Sequence, residues 1–172
     1  MIQFEIHKNS ITNLKTDAIV NAANSDLVQG GGVCGVIFKA AGSAKLAREC
    51  AKIGHCNTGD AVITSACDMP NNKFIIHAVG PRYIDGKHGE EALLSGAYKK
   101  SLELARDNKC KSVGFPLISA GIFGYPLDDA WRVAIKTCKE FISENSDCDM
   151  SIVIVGTNQD IINRGKEILA EF

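Results

Sequence analysis

The sequence predicts one α/β domain built in three layers, with a sheet between helices. Three observations predict it. Strand-like runs alternate with helix-like periodicities along the chain. Several of the strands are almost continuously apolar, as strands covered on both faces must be. No internal repeat, low-complexity tract or Pro/Ser-rich linker divides residues 1–172, so a single domain is expected.

Each element follows in order. Residues 2–6 alternate apolar and polar, which predicts a strand. Residues 18–20 form a short buried strand ending in Asn21. From Val33 to Ala51 the pattern is helical, with a break at Gly42-Ser43. Residues 61–64 and 74–79 read as two further strands. Residues 90–108 form a helix whose Leu94, Tyr98, Leu102 and Ala105 share one side. Residues 112–115 form a strand stopped by Pro116. A helix over 128–144 follows, with Asp128 expected as its N-cap. Residues 151–155 form a buried strand, and Thr157-Asn158-Gln159-Asp160 has capping-box spacing before a last helix reaching Ala170. In such alternating folds, ligands bind beyond the carboxyl ends of the strands.

Composition excludes several classes of function. The chain has 172 residues, 19 Lys+Arg against 20 Asp+Glu, and 45% hydrophobic residues. That apolar fraction with a net charge of −1 excludes disorder as the main state. Without a basic excess, general nucleic-acid binding is not expected. A single small anion needs only a few aimed donors and stays open. No apolar run approaches the roughly 18 residues of a membrane span. The start lacks a signal-peptide pattern, so a cytoplasmic protein without membrane attachment is expected. The seven cysteines include no CxxC pair and read as reduced thiols. Cys50, His55 and Cys56 match no standard zinc spacing, so no metal site and no cofactor are expected.

Two segments carry chemistry. In the first, Gln29-Gly30-Gly31-Gly32-Val33-Cys34-Gly35 joins a buried strand to an apolar helix. Glycines expose the main chain, and the helix start adds aligned N–H groups, which together make an anion cradle. A flexible linker is the alternative, and it suits this position poorly. The second segment is Ser119-Ala120-Gly121-Ile122-Phe123-Gly124-Tyr125-Pro126, again between strand and helix. Phe123 is either a ligand contact or a packing plug beneath the loop. Two such loops on one sheet edge suggest a diphosphate held from both sides. Neither is a Walker A or GxGxxG motif. Asn24 offers a donor and an acceptor suited to vicinal sugar hydroxyls. Asn21 reads as a loop staple.

NAANSDLVQGGGVCG and PLISAGIFGYP, with IIHAVGP between them, resemble the macrodomain family over essentially the whole chain. The resemblance implies a mixed, mostly parallel six-stranded sheet and ADP-ribose or an ADP-ribosylated protein as partner. It is nearest to the MacroD-type branch, which includes Appr-1-p processing, and implies a monomer. It implies hydrolysis of mono-ADP-ribosyl groups from acidic side chains, or O-acetyl-ADP-ribose deacetylation, with a non-catalytic reader as the alternative. Asn24 matches the asparagine at the distal ribose, and Gly30, Gly31, Gly32 and Val33 match the loop around that ribose and the diphosphate. Ser119, Ala120, Gly121, Ile122 and Phe123 match the second phosphate loop. Ile11 matches an apolar residue beside the adenine, and Ala22 and Cys34 complete the implied binding set. Asn24, Gly32 and Phe123 are the residues implied in the reaction.

Three positions depart from the family pattern. Cys34 stands where many bacterial members have an aspartate. Ser10 stands in place of the acid that accepts from the adenine amino group. Gly156 falls where a bulky residue often covers the base. Base recognition is therefore expected to be weak, with Asn158 as a candidate substitute amide. Cys34 has no His or Lys close in sequence to activate it as a nucleophile and reads as a small helix-start residue. Asn24 with the two glycine loops favours the enzyme, and so does the lack of a further domain. The missing aspartate favours the reader.

Overall fold

The computed structural model describes residues 3–172. Twelve elements follow one another: β1 (Gln3–Lys8), a 3-10 turn (Ile11–Asn13), β2 (Ala18–Ala22), α1 (Gly32–Ala41), α2 (Ser43–Ile53), β3 (Ala61–Ser65), β4 (Phe74–Ala78), α3 (Glu90–Asp107), β5 (Ser112–Phe115), α4 (Leu127–Glu144), β6 (Ser151–Gly156) and α5 (Gln159–Leu169). Of the first expected strand, Ile2 lies outside the described residues. The remainder pairs as β1 and continues to Lys8.

The sheet runs β1-β6-β5-β2-β4-β3. All neighbours are parallel except β3, which pairs antiparallel with β4. Successive residues of the central strands enter different cores, as the two-residue strand period requires. Ile19, Ile75 and Val155 pack towards α1 and α2, with Ile37, Phe38 and Leu46. Val20, Ile76 and Ile154 pack towards α3, α4 and α5, with Leu94, Tyr98 and Trp131. The expected three layers are therefore present, with the sheet buried on both faces. Among the described residues, no helix is long and apolar enough to cross a membrane.

Two expected caps are corrected. Pro126 is the N-cap of α4, and Asp128 lies inside the first turn. Its carboxylate is held instead by Arg164 of α5, through Nε and Nη2 at 2.8 Å each. A bidentate guanidinium contact competes successfully with a cap, because both carboxylate oxygens are then satisfied at once. At α5 the cap is Asn158 rather than Thr157, its Oδ1 accepting from Ile161 N at 3.1 Å.

Candidate functional site

The parallel strands β2, β4, β5 and β6 all end at one edge of the sheet, and the segments that follow them meet there. Between them lies a cleft of about 610 Å³. Ala22, Asn24, Gly30, Gly31, Gly32, Val33 and Cys34 line one wall, and Ser119, Ala120, Gly121, Ile122 and Phe123 the other. Gly156, Thr157 and Asn158 close one end, beyond β6. The structure thus gathers every expected site residue but one. Ile11 is buried in the core beneath α1 and does not line the cleft. Ser10 does not line it either, its hydroxyl lying 3.2 Å from that of Thr12.

The first wall is formed by backbone. Gly31 is the N-cap of α1, so the helix opens directly onto the cleft with no acidic residue in its first turn. Gly32 has φ +56°, a conformation that disfavours a side chain. The free N–H groups and the positive helix end make this wall attractive to an anion.

Asn24 makes the staple expected of Asn21 and still lines the cleft, whereas Asn21 does neither. Asn24 is the loop staple, its Nδ2 donating to Val28 O at 2.8 Å and its Oδ1 accepting from Val28 N at 3.1 Å. Asn21 is fully buried and makes no staple. Its Nδ2 donates to His77 Nδ1 at 3.1 Å and reaches Cys34 Sγ at 3.7 Å. An amide nitrogen only donates, so His77 Nδ1 accepts and the ring proton sits on Nε2. Nε2 then donates to Thr64 Oγ1 at 3.0 Å. Burial pushes the His77 imidazole down to about 4, so the ring is neutral in this chain of contacts.

Cys34 is buried at the foot of the cleft wall. Its other polar contact is Val28 O, 3.8 Å away. Neither an amide nor a carbonyl can take the thiol proton, so nothing in direct contact activates Cys34 as a nucleophile. Cys50 and Cys56 are buried, and burial pushes both thiols up to about 11. Among the described residues, the metal-ligating trio with mutually close donor atoms is Asp85, His88 and Glu90, not Cys50, His55 and Cys56. Even that trio is otherwise engaged. The buried Glu90 carboxylate accepts N–H groups of Ile84, Asp85, Gly86 and His88 at 2.6–3.1 Å. Burial pushes this carboxyl up, yet the backbone donors outweigh it and hold the group at about 2.

The second wall carries an unusual serine. Ser119 has φ +66° and is buried, and its Oγ has no protein partner. It faces Gly80, where any Cβ would collide with that hydroxyl. Phe123 is half-buried and is no plug beneath the loop, because the Arg82 guanidinium lies 4.7 Å over its ring. Gly80 and Arg82, which also line the cleft, were not anticipated. Their signal was available: IIHAVGP is a third strand followed by Gly-Pro on the same sheet edge.

Comparison with known proteins gives a consistent set of likenesses. A family model described as Macro domain matches residues 20–134. The chain is 45% identical over 148 residues to an O-acetyl-ADP-ribose deacetylase of Escherichia fergusonii, covering 84% of this chain and 82% of that protein. It is 46% identical over 143 residues to the human ADP-ribose glycohydrolase MACROD2, covering 81% of this chain but 33% of that longer protein. Among solved structures, the Oceanobacillus iheyensis macrodomain with ADP superposes with a TM-score of 0.91 at 35% identity, covering 96% of this chain and 89% of the other.

Proposed function

This chain belongs to the macrodomain family, and from that premise we propose that its cleft binds ADP-ribose and that it hydrolyses ADP-ribosyl groups from protein acidic side chains or deacetylates O-acetyl-ADP-ribose. One observation carries the proposal: two strand-to-helix loops rich in free backbone N–H groups face each other across a cleft of about 610 Å³. The orphaned Ser119 hydroxyl adds a donor on one wall. The names of the relatives, a deacetylase and a glycohydrolase, support the same chemistry.

In this proposal the diphosphate lies between the Gly30–Val33 and Ser119–Phe123 loops. The distal ribose sits by Asn24 and Phe123, and the adenine by Gly156 and Asn158. The Asn158 oxygen accepts the Ile161 N–H of its cap, and its NH₂ is left to donate to the base. The bond cleaved joins ribose C1″ to a carboxylate, through a transition state with oxocarbenium character. A diphosphate bent towards C1″ orients the attacking water and supplies negative charge. Asn24 fixes the ribose and Phe123 excludes solvent. Such positioning contributes several kcal/mol without a protein base. The contacts of Cys34 are what favour the second reading, a binder without turnover, because no carboxylate stands at that place.

Release of labelled ADP-ribose from an automodified protein, run beside melting curves, separates these readings. Turnover with a raised melting temperature in ADP-ribose is expected. A shift without release would leave a reader. A shift as large in AMP as in ADP-ribose would refute the assignment of the binding determinants.

A further inference from the structure

The segment between β4 and α3 is held by one carboxylate. Residues 82–89 are mostly exposed and form neither strand nor helix. Even so, every backbone N–H from Tyr83 to His88 has a partner. Those of Ile84, Asp85 and Gly86 donate to one oxygen of Glu90, at 3.0, 3.1 and 2.9 Å, and that of His88 donates to the other at 2.6 Å. Lys87 N donates to Asp85 Oδ1 at 2.8 Å. Tyr83 N is the one of the six that leaves the segment, donating to Phe123 O at 2.8 Å.

Glu90 is the first residue of α3 and only 2% exposed. A carboxylate removed from water is costly unless its lone pairs are filled. The amides do not call for it, because at an exposed loop they can turn to water instead. What the carboxylate secures is one conformation of the segment, through charge-assisted hydrogen bonds. That conformation is transmitted to the second wall of the cleft by three contacts. Tyr83 N holds the Phe123 carbonyl. The Tyr83 ring packs edge-on against Tyr125 with centroids 5.0 Å apart, and Tyr125 N closes the base of the loop onto Ser119 O at 2.9 Å. The Arg82 guanidinium lies 4.7 Å over the Phe123 ring. Gly86, with φ +82°, fits the same arrangement, since a Cβ there would come within 2.8 Å of Tyr83 Oη.

Resting on the ADP-ribose reading above, we infer that Glu90 is a positioning residue for this cleft: by fixing residues 84–88 it sets Arg82 and Tyr83, which hold Phe123 at the distal ribose. Glu90 itself does not line the cleft. A remote change that misplaces a site group by about 1 Å can cost about a hundredfold in rate. The effect belongs to ligands that carry the distal ribose. ADP lacks it, and its diphosphate rests also on the Gly30–Val33 loop, which Glu90 does not touch.

Glu90→Ala, Phe123→Ala and the double variant test this, well below their melting temperatures. The readouts are calorimetry with ADP and with ADP-ribose, the release assay, and amide hydrogen exchange of the free protein. Glu90→Ala is expected to lose about tenfold or more in ADP-ribose affinity and in kcat, and to bind ADP nearly like wild type. Added to Phe123→Ala, it should cost little further, because the same contact is removed twice. The Tyr83 amide should lose protection together with those of Ile84, Gly86 and His88. Glu90→Gln keeps an oxygen for three of the amides and should restore most of the ADP-ribose affinity, whereas Glu90→Asp, one methylene short, should not. Equal losses on ADP and ADP-ribose, additive losses in the double variant, or a Tyr83 amide still protected in Glu90→Ala would each overturn the inference. A folded wild type that fails to bind ADP-ribose would overturn the ADP-ribose reading and this inference with it, even where exchange shows Tyr83 following Glu90.

Discussion

Gly31 is the residue at which cradle and fold can be separated. A Cβ built there meets nothing within 4 Å, and its φ of −84° suits any residue. Gly31→Glu should therefore fold with an unchanged melting temperature while placing a carboxylate at the mouth of α1. We expect the melting shift in ADP-ribose to disappear, and a retained shift would refute the cradle. Asn24 and Cys34 give the complementary pair. Cys34→Ala should keep most of the turnover, since the thiol touches only an amide and a carbonyl. Asn24→Ala should lose at least tenfold in kcat/KM, because the same side chain also staples Val28 and shapes the loop. The reverse ranking in the release assay would indicate a nucleophilic thiol. The finding of the staple at Asn24 and not at Asn21 shows where sequence stops being informative. Both are asparagines near the end of β2, and only the register of β2 against β4 sets Asn21 opposite His77.

At the scale of elements, the helix faces were legible and the helix starts were not. Periodicity locates α3 and α4, because each must bury one stripe against the sheet. Capping is a competition among local partners, and the winner at α4 depended on Arg164, which lies 36 residues further along. The same pair of helices offers a stability test. A Cβ on Gly165 would come within 2.5–2.7 Å of the buried Trp131 ring. Trp131 is also fixed by donation from Nε1 to Ile161 O at 3.1 Å, so it cannot easily retreat. Gly165→Ala should destabilise the protein by about 1–3 kcal/mol through overpacking, despite alanine's better helix propensity. Urea denaturation measures this, and an equal or raised midpoint would contradict it.

For the molecule as a whole, the three-layer class and the two glycine loops were readable because both are dictated by local composition. Gly156 and Asn158 after β6 were expected beside the base and do line the cleft, whereas Gly80 with Arg82 went unanticipated, because only the strand order shows that the segment after β4 opens onto the same site. The global stability should carry the signature of one buried ring. His77 binds its proton at about 4 when folded, against 6.5 as its ordinary value. The unfolded chain therefore holds more protons between those values, and stability falls as pH drops through that window. The loss amounts to about 3 kcal/mol in wild type. His77→Gln should be less stable at pH 7 but lose less between pH 6.5 and 4, and parallel curves from denaturant titrations would exclude this origin.

The position of β6 has a kinetic consequence. It is the last strand among the described residues, yet it lies between β1 and β5, with Gln3 opposite Ser151. A nascent chain that has not yet released β6 carries two unpaired strand edges, one on β1 and one on β5. The loop closure needed to bridge them spans about 150 residues, and pairings of such separation form slowly. Gly156, at the end of β6, also closes one end of the cleft. Ligand-binding competence should consequently arrive only once β6 has inserted between β1 and β5, so a ligand can reward the completed sheet and never an intermediate that lacks this strand.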